Sequence, residues 1–400
     1  MIDQKPLRGV RVLDLTRVLA GPFCTMNLAD LGAEVIKIEM PGGGDDSRSF
    51  APMMPSGDSG YFYSVNRGKR SVTLDLRIEA GAAIFVELAA KSDVVVENFS
   101  PGTMDRFKLG YARLKAANPK IILCSISGFG QTGPMASAPA YDIVAQALGG
   151  TMSITGNPGG APVRCGVSVG DLSAAMYAVV AIMSALRVRD RDGVGNHVDI
   201  AMLDCQVAML EDALARYSIS GKIPERIGSR HPSITPFQQF RAADDYFVMG
   251  VGNEAIWLRF CDVIAMPQLK DDSRFLTNSD RTAHHPALEA ILARIFATRP
   301  REHWLRLLAD ASVPCAPIAN VEEVTRDPHL AARNMILHAD HPDFDGLIVP
   351  GSPLKSAVDG DTDIPSTRAP RLGENTDEVL ASVLGYDSKR LSELRRRSII

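Results

Sequence analysis

Apolar runs of strand length alternate with helically spaced stretches along the first third of the chain. Val10–Leu15, Glu34–Glu39, Lys69–Leu76, Ser92–Glu97 and Ile121–Ile126 are short and rich in β-branched residues, whereas Ala20–Leu31 and Glu79–Ala90 repeat their apolar positions at helical spacing. Strand, helix and strand within about thirty residues is the size of a parallel βαβ unit. Repetition of that unit predicts an α/β fold with a doubly wound, Rossmann-like parallel sheet. Ligands of such sheets sit beyond the carboxyl ends of the strands, where Asn98, Phe99 and Arg106 fall. Ser100-Pro-Gly reads as a helix start, with Ser100 as the cap and Pro101 in the first turn.

The pattern then changes. Gly166-Val-Ser-Val-Gly-Asp171 is a short glycine-bounded run that leads into Ala174–Leu186, which is apolar on nearly all sides. Such a helix is expected to be buried. The apolar run is short for a bilayer span. Asn196–Met202 predicts a further strand, followed by a helix to about Tyr217. Pro- and Gly-rich punctuation marks a linker at 219–236. Phe237–Gly252 alternates as a small antiparallel pair turning at Asp244-Asp245, with helices expected at 256–264, 286–296 and 301–311. The domain reading is a large α/β domain at 1–218, a smaller α+β domain at 237–330, a return linker at 331–373 and a helical segment at 374–400.

Length and composition fit this picture. Four hundred residues exceed one ordinary core. With 43 basic against 47 acidic residues and no dense basic stripe, a nucleic-acid footprint is not expected. Cys24, Cys124, Cys165, Cys205, Cys261 and Cys315 show no paired spacing for a metal, so none is expected, and they read as reduced thiols. The first residues are too charged for a signal peptide. The cytoplasm is the expected compartment, and no membrane partner is expected.

One carboxylate stands out. Asp171 lies where the chain leaves a tight turn and enters the apolar helix. On pattern it reads first as an N-cap, the usual task of Asp at a helix start, and alternatively as a nucleophile, already ionised with an ordinary pKa near ~3.9. The helix dipole is expected to favour the anion and lower its pKa. Position alone does not choose. The turn at Thr16–Pro22 lacks a Gly-x-Gly-x-x-Gly fingerprint, and Gly42-Gly-Gly44 reads as a flexible loop, so a nicotinamide-dependent oxidoreductase is a poor match.

Several motifs, in order, resemble those of the class III CoA-transferases, the family of formyl-CoA transferase and carnitine CoA-transferase. They are Val12-Leu-Asp-Leu-Thr…Ala20-Gly-Pro, Leu31-Gly-Ala-Glu-Val-Ile-Lys-Ile-Glu, Asn66-Arg-Gly-Lys-Arg-Ser, Leu74-Asp-Leu, Val95-Val-Glu-Asn-Phe-Ser-Pro-Gly, Ser125-Ile-Ser-Gly-Phe-Gly and Ala369-Pro-Arg-Leu-Gly-Glu-Asn-Thr. The resemblance implies that Asp171 is a catalytic nucleophile forming a covalent aspartyl-CoA thioester, with coenzyme A as substrate carrier and no permanently bound cofactor. It places CoA contacts at Val18, Ala20, Leu74, Arg77, Asn98, Phe99 and Arg106, Arg77 standing where the formyl enzyme has a lysine. It implies an interlocked homodimer in which each chain threads its partner. The glycine-rich turn before Asp171 is expected to supply N–H donors for tetrahedral intermediates.

Three departures argue against the formyl-CoA/oxalate pairing of the formyl enzyme: Leu19 replaces a glutamine, Met40 replaces an arginine, and that enzyme's four-glycine lid has no counterpart beyond Gly250-Val-Gly-Asn253. The Arg226–Phe237 segment resembles members that move CoA among dicarboxylates such as succinate, glutarate or oxalate. Arg230 and His231 are therefore candidate contacts for an acid's distal carboxylate. Arg164, a few residues before Asp171, is a second candidate, and Tyr141 is a candidate substrate contact. Two readings compete. An α-methylacyl-CoA racemase shares the fold, but Ala140-Tyr141-Asp142 has no histidine for α-proton transfer. A CoA-binding protein without catalysis is the other.

Overall fold

The computed structural model describes residues 5–355 and 366–400. The chain forms two compact units. One comprises Met1–Thr151, Arg164–Ala215 and Pro328–Ile400, and the other Met152–Val163 and Arg216–Asp327.

The first unit is built on six parallel strands: β1 (Arg11–Asp14), β2 (Glu34–Glu39), β3 (Lys69–Thr73), β4 (Val94–Glu97), β5 (Ile122–Ser127) and β6 (Asn196–Ala201), in the order β3-β2-β1-β4-β5-β6. Register is set through β1, where Val12 lies opposite Val35 on one side and Val94 on the other. Both sheet faces are covered, which explains the continuous apolar runs. Leu13, Ile36, Val72, Val95 and Leu123 face one layer, which holds α3 (Glu79–Ala89) and the helices Thr376–Leu384 and Ser388–Arg396. Val12, Val35, Val94, Val96, Ile122 and Cys124 face the other, where α1 (Ala20–Asp30) packs with the long helix through Ala174, Ala178, Ile182 and Ala185. The order reverses between β1 and β4, so a crevice opens beyond their carboxyl ends. The doubly wound sheet is as expected.

Between these elements lie α2 (Gly60–Asn66), the single turn α4 (Thr103–Arg106), α5 (Tyr111–Ala117), α6 (Asp142–Leu148), the single turn α7 (Thr151–Ile154) and the long helix α8 (Val169–Asp192). At α4 the expectation fails. Its cap is Gly102 in the left-handed conformation, and Ser100 and Pro101 lie in the turn before it. The α8 expectation also needs correction. The helix has 24 residues, long and apolar enough to cross a membrane by length and composition. Only one face is buried: Met176, Tyr177, Val180 and Val188 are apolar yet exposed. An all-apolar helix gives no direction to its face in the sequence, so the buried side becomes visible only once α1 and the sheet are in place.

Past β6 the expected single helix is two, α9 (Met202–Ala208) and α10 (Ala213–Ser220), broken where Glu211 adopts a positive φ of 50°. The second unit has β7 (Phe237–Arg241) and β8 (Tyr246–Gly250) as an antiparallel pair around Asp244-Asp245. A third strand, Cys315–Pro317, pairs with β8, too short to leave a sequence pattern. Trp257, Phe260, Phe296 and Trp304 fill its core. The segment read as a return linker contains a hairpin, Ile336–His338 with Ile348–Pro350. Part of the Pro350–Gly373 linker reading lies outside the described residues.

Candidate active site

Two cavities meet at the crevice between β1 and β4. The larger, about 720 Å³, is bordered by the ends of β1 and β2, the 43–49 loop, Leu74–Arg77 and Asn98–Phe107. The smaller, about 240 Å³, holds Asp171, Tyr141, Val18–Ala20 and Ser127. Arg17, Asp46, Asn98, Phe99 and Ser100 border both. The structure therefore gathers all seven residues expected to contact CoA around two adjoining spaces, with the candidate nucleophile in the smaller.

The turn after β1 is held from below by buried charge. Asp14 accepts from Thr16 N–H and Oγ1 at 2.8 and 2.5 Å, and from Lys69 Nζ at 2.9 Å. Lys37 Nζ donates to the Thr16 carbonyl at 2.7 Å and pairs with Asp45 at 2.9 Å, both side chains wholly buried. Asp45 Oδ1 in turn accepts from Val18 N–H at 3.1 Å. Val18 has φ of 68°, a conformation uncommon for a β-branched residue, so its surroundings must impose it. Gly21 fits for a different reason: a Cβ there would lie 2.2 Å from that of Thr16. The N–H groups of Leu19, Ala20 and Gly21, at the start of α1, have no acceptor among the described residues. Leu19 and Ala20 line the Asp171 cavity.

Asn98 braces the same turn. Its Oδ1 accepts from Arg17 N–H and its Nδ2 donates to the Arg17 carbonyl, both at 2.8 Å. Its side-chain amide is thus committed to backbone, and no sequence signal distinguished that role from ligand contact. Phe99 is fixed by its N–H donating to Glu97 at 2.8 Å. Burial pushes the Glu97 carboxyl up to about 7, with the nearby Asp199 adding to the shift against opposing hydrogen bonds from Ser125 and Phe99. Leu74 is buried in the wall of the larger cavity, whereas Arg77 is exposed and held by Asp75 through two bonds of 2.9 and 2.6 Å. Arg106 bonds Thr103 Oγ1 at 2.5 Å, and Met40 lines the same space.

Asp171 lies in the first turn of α8, while Ser168 occupies the cap position. The capping reading is therefore wrong. The Asp171 carboxylate has no hydrogen bond or ion pair among the described residues. The dipole expectation also fails in sign: burial, helped by the Asp142 carboxylate, raises its pKa to about 7. Asp142 accepts from Gly170 N–H and Gln146 Nε2, each at 2.8 Å. Glycine leaves room at 170, where a Cβ would lie 2.9 Å from Asp142 Oδ1 and push that carboxylate aside. The Gly170 N–H is consequently not a free donor, and the unpaired N–H groups in this cavity are at α1 instead.

Arg164 approaches Asp142 and Ser168, both at 3.4 Å, but does not line the Asp171 cavity. Tyr141 borders the cavity and is 79% exposed. Tyr61 was missed by the sequence reading. Burial raises its phenol to about 12, with Asp171, Asp45 and Asp142 adding to the shift, so a protonated hydroxyl stands near the carboxylates. Arg230 and His231 belong to the second unit. Burial lowers the Arg230 pKa against the opposing Glu289, and its Nε is buried without a partner among the described residues. His231 Nδ1 accepts from Ser233 N–H at 3.1 Å, and its ring lies against Phe237. Among the described residues no cluster is arranged to hold a metal ion.

A family model described as "CoA-transferase family III" matches residues 7–376. The acetyl-CoA:oxalate CoA-transferase of Acetobacter aceti is 45% identical over 92% of this chain and 93% of its own. The human succinyl-CoA:glutarate CoA-transferase is 40% identical over 100% and 91%, respectively. Among solved structures, a CAIB/BAIF family protein from Brucella suis superposes with a TM-score of 0.83, at 40% identity, covering 95% of this chain and 99% of that one. The chain belongs to CoA-transferase family III. It is an enzyme of acyl-CoA metabolism, and coenzyme A is its substrate carrier.

Proposed function

We propose that the enzyme moves CoA from an acyl-CoA to a short dicarboxylic acid through a covalent intermediate on Asp171. The observation that carries this reading is a poorly solvated carboxylate that has no hydrogen bond among the described residues, in a small cavity adjoining a larger one bordered by arginines. A carboxylate freed of hydrogen bonds and raised in basicity is a stronger nucleophile than one capped by a helix. Relatives named for oxalate and glutarate, and a third from Haloarcula hispanica named for mesaconate, support a diacid.

In this reading an Asp171 oxygen attacks the thioester carbonyl and expels CoA thiolate, leaving a mixed anhydride. The thiolate attacks Asp171 Cγ, forming the aspartyl thioester and releasing the donor carboxylate. The acceptor carboxylate attacks Cγ and expels thiolate again. That thiolate then takes the acceptor acyl group from Asp171, which is restored. No net proton is consumed. The N–H groups at the start of α1 are placed to receive oxyanion charge.

Acid quench of enzyme mixed with an acyl-CoA should trap a CoA adduct on the peptide carrying Asp171. Because only the anion attacks, adduct formation should rise with pH through about 7, following the raised pKa. A CoA adduct on another residue, or none at any pH, would remove the mechanism.

The same reading includes a homodimer. The exposed apolar row Met176, Tyr177, Val180 and Val188 along α8 is the kind of surface that marks an interface. Sedimentation equilibrium should give twice the 43.1 kDa chain mass. A monomer at micromolar concentration would rule the dimer out.

A further inference from the structure

We propose that Arg17 receives the distal carboxylate of the acid substrate, and that Asp46 occupies that position when no substrate is bound. The proposal rests on the diacid reading above and assigns the residue that enforces it.

Among the described residues, Arg17 is the sole basic side chain lining the cavity that holds Asp171. Its backbone is fixed on both sides by the two Asn98 bonds, so only the side chain is free to adjust. The guanidinium lies 5.8 Å from the centre of the Phe99 ring, which borders both cavities. Among the described residues its one ionic partner is Asp46, through a single contact of 3.2 Å with both groups about half exposed. Neighbouring arginines are held differently. Arg48 makes two bonds to Glu39, at 2.8 and 2.6 Å, and Arg77 makes two to Asp75. A solvated single-contact pair is weak and exchangeable, whereas a bidentate pair to an incoming carboxylate is stronger. Asp46 therefore shows where a carboxylate meets Arg17 at the border of this cavity, and a substrate's second carboxylate has the same chemistry. The cavity is also small beside the roughly 300–1,000 Å³ of drug-sized sites, which suits a short acid. The larger cavity has Arg48, Arg77 and Arg106 besides Arg17. Of these, Arg106 has no carboxylate partner among the described residues, so phosphate charge there has a cation other than Arg17 to meet.

The experiment compares succinate with butyrate, and glutarate with valerate, as acceptors from acetyl-CoA, in wild type, Arg17→Met, Arg17→Lys, Asp46→Asn and Arg230→Met. Wild type should favour the diacid of each pair. Arg17→Met should lower the diacid-to-monoacid ratio of kcat/KM at least thirtyfold, and Arg17→Lys should fall between. Asp46→Asn, which removes the resident competitor and leaves Arg17 in place, should move the ratio the other way by lowering KM for the diacid. Circular dichroism and thermal melts identify any variant that fails to fold, and the Lys and Asn variants then carry the test. If wild type shows no diacid preference, the diacid reading falls and the assignment with it. If wild type prefers diacids but Arg17→Met keeps the ratio within threefold, Arg17 is not the clamp, and loss of the ratio in Arg230→Met would transfer the role. A rise in KM for acetyl-CoA with an unchanged acid ratio would overturn the proposal by assigning Arg17 to CoA.

Discussion

Asp171→Ala is expected to lower CoA exchange by roughly four orders of magnitude or more, the scale seen when a covalent nucleophile is removed. Binding of CoA should survive, since the seven contact positions border the cavities independently of this side chain. The same substitution should stabilise the protein at pH 8. The Asp171 pKa is raised in the fold to about 7, so the unfolded chain releases this proton first. Stability is therefore lost as pH rises from the unfolded value near ~4 to about 7, and the loss is then constant. Alanine removes that penalty, on the order of 2–4 kcal/mol, and denaturant melts should show the gain at pH 8 and its disappearance near pH 4. Full exchange activity in a folded Asp171→Ala variant would refute the assignment. A variant less stable at pH 8 than wild type would refute the burial argument.

The second large effect lies beneath the site. Asp14→Asn should destabilise the protein by about 3–5 kcal/mol, because it leaves the buried Lys69 ammonium without its counter-charge. Burial pulls the Lys69 pKa down to about 8, with Lys37 contributing, against the opposing charges of Asp14 and Asp45. Without Asp14 it falls further. A lysine depressed in the fold regains stability as pH rises from its folded pKa towards its unfolded one, so the deficit should narrow between pH 7 and pH 9.5. Urea titrations at the two values measure this. A deficit below about 1 kcal/mol, or one that grows with pH, would show that Asp14 does not balance the buried lysines.

Much of the fold was legible because a parallel sheet covered on both faces writes itself as β-branched runs. β2 matched its run residue for residue, β1, β3 and β4 lie within theirs, and β5 is shifted one residue beyond its run, ending at Ser127. Elements of three residues, such as Cys315–Pro317, carry no periodicity and were not read. The site was legible in part. Asp171 was visible as a lone carboxylate entering an apolar helix. Its raised pKa was not, because it comes first from burial in the folded cavity and second from Asp142, a carboxylate distant in sequence that accepts from the Gly170 N–H. Asn98 was located by its place after β4, but its two hydrogen bonds with the Arg17 backbone depend on the neighbouring strand order. Tyr61 and Arg17 carry no local pattern of their own. Their meaning comes from the reversal between β1 and β4, which no window of sequence displays.

The covering of the sheet by the segment Thr376–Ile400 has a consequence for biosynthesis. All six strands of the large sheet have been synthesised once β6 is made, yet Leu13, Ile36, Val72 and Val95 share their core with Val379, Leu391 and Leu394. Thus a nascent chain bearing the whole sheet still presents part of that apolar core to solvent while the second unit is translated. Exposed surface of that kind is what chaperones hold and what aggregates when they do not. Expression yield should therefore depend on the closing segment more than on any residue near Asp171.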